Sequence, residues 1–212
     1  MTEAEAAQIL AAWLSPAYPV GSYAYSHGLE HAVAVGEVAD AAGLQAWVEG
    51  VLAQGTGRSD AILLVAAHAA EDPSPLAELA CALAPSAERL METTLIGAAF
   101  CRVTAAAWGL DLPPLPYPVA VGRAAGLLGM PAPLTATLYL QAFAASLVSA
   151  GVRLVPVGQT DGQRITAGLL GLAAAVAAEA LEVPLDAIGG AALAADLAAM
   201  RHETQYSRLY RS

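Results

Sequence analysis

Apolar residues recur at helical spacing along most of this chain. Thr2 followed by Glu5 forms a capping box, and Ile9, Leu10, Trp13 and Leu14 then line one face. That helix stops at Ser15-Pro16, because a residue before proline avoids the α region. Ala17–Ser22 reads as a turn-rich linker, and a second helix is expected from about Tyr25 to Val35. Asp40 is placed to cap a third, with Leu44, Trp47, Val48, Val51 and Leu52 at helical spacing and Gly55 and Gly57 ending it. Further helices are expected over Asp60–Ala70, Leu76–Leu83 and Pro85 to about Trp108. The proline-rich run Leu112–Pro118 cannot be regular helix, since each proline removes a donor and clashes with the preceding turn.

Beyond that loop, Pro118–Leu128 and Leu134 to about Ser149 read as helices. Thr160 and Gln163 suggest a second capping box, opening a helix through Leu181 that Pro184 stops. A last helix is expected over Leu185–Met200, kinked at Gly189-Gly190. Arg153–Val157 is the best strand candidate, and Pro156 weakens it. The pattern therefore predicts an all-α, single-domain helical bundle of about eight to ten helices over residues 1–200, followed by a tail at 201–212.

Composition sharpens this picture. Hydrophobic residues make up 57% of the 212 but aromatics only 6%, so small side chains fill the core and helices must pack closely. The net charge of -10 argues against nucleic acid and anionic lipid as partners and favours a basic protein face. All nine basic residues are arginine, and the absence of lysine excludes a Walker A loop and Schiff-base catalysis. Cys81 and Cys101 are too far apart for a CxxC motif and read as small core residues. The acidic N-terminus lacks a basic-apolar signal, so a cytoplasmic location is expected. Ala124–Val152 is free of charge, yet Pro131, Pro133 and several Ser, Thr and Gln residues make it a buried bundle helix rather than a membrane span.

Three features could carry chemistry. His27 and His31, with Glu30 between them, have the i, i+4 spacing that puts two imidazoles on one metal, which would suit a hydrolase-like metal protein. The alternative is one surface and one contact histidine, since a helical pair is an incomplete ligand set. Tyr18, Tyr23 and Tyr25 cluster around a turn, either as gap-filling rings or as a contact patch. The final twelve residues concentrate three arginines, a histidine and two tyrosines, the side chains that dominate binding energy at interfaces. They form either a docking element or a frayed end.

Four blocks resemble the urease accessory protein UreF family: Leu14–Glu30, Arg58-Ser59-Asp60, Pro156–Gln163 and Met200–Ser212. They occur in family order from one end of the chain to the other, and the first and last are specific. The resemblance implies an all-α homodimer without enzymatic activity, catalytic residues, metal ligands or cofactors of its own. It implies a scaffold that binds UreD (UreH in some species), the GTPase UreG and apo-urease, so that nickel enters the urease active site at the expense of GTP. The residues assigned to partner binding are Tyr23, Tyr25, Ser26, His27 and Glu30 in the first block. In the last they are Arg201, Glu203, Tyr206, Arg208, Leu209, Tyr210 and Arg211, of which the stretch from Tyr206 onward is implied to order against UreD.

Overall fold

Thr2 and Glu5 close their capping box: Glu5 N donates to Thr2 Oγ1 at 3.2 Å and Thr2 N to Glu5 Oε2 at 2.7 Å. The helix they start, α1 (Glu3–Trp13), buries Leu10 and Trp13 completely. Trp13 stands edge-on to Phe100 and Trp108, with ring centroids 5.3 and 5.5 Å away. The computed structural model describes residues 1–211. Among them are ten α-helices, two short 3₁₀ turns and no strand. The helical bundle expected from the sequence is therefore present.

The second helix is shorter than its pattern suggested. A 3₁₀ turn covers Ser22–Ala24, and α2 (Leu29–Ala34) begins four residues after Tyr25. Gly28 holds a left-handed φ of 75° and His27 a φ of 53°, neither compatible with a helix. A Cβ at Gly28 would lie 2.6 Å from Ala199 N, so this glycine also admits the last helix against the turn.

Asp40 caps α3 (Ala41–Gln54) through Oδ1, which accepts from Gly43 N at 2.9 Å. Then follow α4 (Thr56–Ala69), α5 (Ser74–Ala82), α6 (Ala87–Trp108), α7 (Tyr117–Leu127), α8 (Ala132–Leu154), α9 (Gln159–Glu182) and α10 (Leu193–His202). α4 starts at Thr56 rather than Asp60, with Gly57 inside it instead of ending α3, and three further boundaries differ from expectation. α8 runs on to Leu154 and absorbs the start of the strand candidate. The Thr160/Gln163 box does not form, because both residues lie inside α9, whose cap position is Gly158. The last helix begins at Leu193 because only Leu185–Ala187 coils, after which Ala191 N donates to Gln54 O at 2.6 Å and ties the chain to the end of α3.

α4 lies at the centre, against α7, α8, α9 and α3. Its contact with α7 is almost backbone on backbone. A Cβ at Gly122 would sit 2.2 Å from Leu64 O, and one at Gly126 2.0 Å from His68 O. This GxxxG spacing, more familiar from membrane helices, is how a core poor in aromatics reaches full density. By length and composition α6, α8 and α9 could each cross a membrane; half of the apolar window of α8 is buried inside the bundle.

Candidate functional site

The two ends of the sequence meet. α10 delivers His202, which is fully buried, between a carboxylate from α2 and one from the first turn of α6. Its Nδ1 lies 2.7 Å from Glu88 Oε2 and its Nε2 3.1 Å from Glu30 Oε2. The chain then turns back across the same two helices. Leu209 N and Tyr210 N donate to the Glu30 carboxylate at 2.7 and 2.8 Å, and Arg208 Nη1 donates to Glu88 Oε1 at 2.6 Å. Gln205 Oε1 meets His31 Nδ1 at 3.1 Å, Glu203 Oε1 accepts from Ala87 N at 2.8 Å, and Arg211 N donates to Ala24 O at 2.7 Å.

The terminal segment is thus neither a free arm nor a frayed end in this chain. Arg201 and His202 complete α10, and Tyr210 is part of the hydrophobic core. What the tail turns outward is Tyr206, fully exposed, and Leu209, 78% exposed. Tyr23 on the 3₁₀ turn is 71% exposed, and Arg201, Glu203 and Arg211 are also on the surface. Arg208 is exposed while its guanidinium reaches in to Glu88, and the remaining assigned residues (Tyr25, Ser26, His27 and Glu30) are buried beneath that face and support it.

A second buried layer lies behind the first. His27 Nε2 is 2.9 Å from Glu92 Oε1 and 2.8 Å from Arg89 Nη1, and Arg89 pairs with Glu92 on the same turn of α6. Burial pushes the Glu92 carboxyl up, but Arg89 and His27 outweigh it and hold it at about 2. Burial and the Arg89 charge both push the His27 imidazole down. Asp60 of α4 accepts from Tyr139 Oη at 2.8 Å. Burial raises its carboxyl to about 6 against the pull of Arg89 and Tyr139. Two cavities adjoin this layer and share Asp60 and Arg89: one of about 60 Å³ beside Tyr25, Tyr117 and Tyr139, another of about 270 Å³ beside Thr56, Ser59 and Asp196. Both are roomy enough for ordered water.

Asp60 is a carboxyl that the fold carries at a cost. With its folded value near 6 and an unfolded value of 3.8, the native state binds the extra proton between those limits, so its contribution to stability falls as pH rises through them. Asn keeps an acceptor for Tyr139. Asp60→Asn is therefore expected to stabilise the protein by roughly 1–3 kcal/mol at pH 7. Urea titrations should show that gain shrinking towards zero near pH 4; an equal gain at both pH values would contradict the assignment.

The hydrolase-like alternative fails on geometry. His27 precedes α2 on a left-handed backbone, so it does not share a helical face with His31. His27 faces α6, His31 faces Gln205, and Glu30 is saturated by His202 and the tail. No group of three or more His, Cys, Asp or Glu among the described residues is placed to hold a metal ion. The tyrosine cluster is split as well. Tyr18 packs on Phe100 and bonds Thr104 at 2.8 Å, Tyr25 is buried, and only Tyr23 faces out.

Residue-level reading overlooked Glu88, Arg89 and Glu92. Their signal is present: three charges within five residues, in a chain with few charges, at the start of a helix whose one other charge is Arg102.

The similar proteins align with nearly the whole chain, and a family model with its middle part. The UreF family model matches residues 38–170. A urease accessory protein UreF of Cereibacter sphaeroides (strain KD131) is 59% identical over 203 residues, 96% of this chain and 97% of its own length. Proteins of the same name from Roseobacter denitrificans and Ruegeria pomeroyi are 52% and 50% identical, each across 96% of this chain and 92% and 95% of theirs.

Proposed function

The chain belongs to the UreF family of urease accessory proteins, and from that premise we propose that it is a non-catalytic scaffold of urease maturation. In this reading it joins UreD (or UreH) and the GTPase UreG to apo-urease in the cytoplasm, as a homodimer, so that nickel is delivered as cargo while UreG hydrolyses GTP. One observation carries the reading. The two sequence blocks most specific to the family, far apart in the chain, are joined by the bonds of Glu30 to His202, Leu209 and Tyr210 and of Arg211 N to Ala24 O, and they leave Tyr23, Tyr206 and Leu209 exposed. Exposed aromatic side chains on a fixed backbone are suited to anchor a partner, because little backbone entropy remains to be lost. The lack of lysine agrees, since the phosphate-binding loop then has to belong to another subunit.

Truncating the tail tests this poorly, because His202 and Tyr210 belong to the core. The double variant Tyr206→Ala/Leu209→Ala is better. It should leave stability within about 0.5 kcal/mol of the parent and weaken UreD capture by about 2 kcal/mol or more, as loss of interface anchors does. Titration of UreD against both proteins measures this, and undiminished affinity would remove the tail from the docking surface.

A further inference from the structure

We infer that the Arg89–Glu92 pair on α6 is a clamp that positions residues 22–28, and with them the exposed Tyr23, for partner contact. This rests on the reading of Tyr23 as a docking residue. The segment lies between two left-handed glycines, Gly21 at φ 77° and Gly28 at φ 75°. Inside it His27 adopts φ 53°, a conformation uncommon for a residue with a Cβ and held only where its surroundings impose it. The imidazole Nε2 reaches both Glu92 Oε1 and Arg89 Nη1, and the ring stands edge-on to Phe143 with centroids 4.9 Å apart. Tyr25 and Ser26 are buried beside it, while Tyr23, two residues before Tyr25, is turned to solvent.

The geometry explains why a charged pair sits where an apolar one would fill the space. An apolar contact would hold the ring's position but not its orientation. A directed bond from the ring Nε2–H to the Glu92 carboxylate, which Arg89 holds in place, together with the edge-on Phe143 ring fixes both, and the pair is rigid because its members are three residues apart on a helix of 22. Arg89 and Glu92 touch no partner in this scheme; they act through His27, as positioning residues.

The test uses the full chain. Arg89→Met/Glu92→Met removes both charges together and leaves neither buried alone. Amide hydrogen exchange of residues 23–28 is expected to accelerate at least tenfold while the amides of α8 are unchanged, a pattern that loss of general stability would not give. Capture of UreD and UreG should fall by a similar factor. His27→Ala leaves the pair intact and should loosen the same segment, so it decides the matter if the double variant does not fold. Unchanged exchange in residues 23–28 of a folded variant would overturn the clamp. So would faster exchange with capture undiminished, given that Tyr23→Ala abolishes capture. If Tyr23→Ala itself leaves capture intact, the docking role of Tyr23 falls, and the clamp as a positioner for partner contact falls with it.

Discussion

Glu30→Ala is expected to release the last eight described residues from the body of the protein and to cost about 3–5 kcal/mol of stability, the range seen when one member of a buried charged network is removed. Glu30 is only 6% exposed, and its two oxygens accept from His202 Nε2, Leu209 N and Tyr210 N. Deleting the carboxylate leaves two backbone donors without their acceptor, and His202 with one carboxylate instead of two. Chemical denaturation reads the loss of stability. Amide exchange at Leu209 and Tyr210 reads the release, and should approach the rate of an unstructured peptide. Protection at those two amides equal to the parent's would show that Arg208 and the Tyr210 ring hold the segment unaided.

A comparable loss is expected at the centre of the bundle. Gly122 and Gly126 bring α7 so close to α4 that any side chain would meet the Leu64 and His68 carbonyls. A carbonyl of a central helix cannot move aside as a flexible side chain could. Overpacking at a tight contact costs about 1–3 kcal/mol per site, and the two sites share one interface, so Gly122→Ala/Gly126→Ala should lose about 3 kcal/mol or more. Thermal unfolding measures it. A melting midpoint unchanged from the parent would mean that α7 can move outward freely.

The helices themselves were legible because their signals are local. The Thr2/Glu5 box, Asp40, the Ser15-Pro16 stop and the proline loop before Tyr117 all act within a few residues. Errors arose where a distant contact decides the local conformation. Tyr25–Gly28 carries no helix breaker stronger than one glycine, yet it stays unwound because α10 presses on Gly28 and α6 grips His27. The pattern over Leu185–Met200 predicts one helix kinked at Gly189-Gly190, but after the 3₁₀ turn of Leu185–Ala187 the bond from Ala191 to Gln54 holds the chain out of the helix until Leu193.

Site residues followed the same division. Their membership in two motif blocks could be read directly. That Glu30 and His31 serve the tail rather than a metal could not, since the bonds responsible span 172 and 174 residues. The spacing of histidines reports a shared face only where the helix is continuous, and it is not continuous at His27.

Such wide separation has a consequence for biosynthesis. Glu30 leaves the ribosome long before His202 and the residues after it have been translated, so for most of elongation its carboxylate has none of its final partners. Domains generally fold from the N-terminal side as they emerge, but this face cannot. A polypeptide interrupted just before α10 carries the other nine helices and lacks this face, so on the proposed reading only molecules whose synthesis has passed that point can recruit a partner.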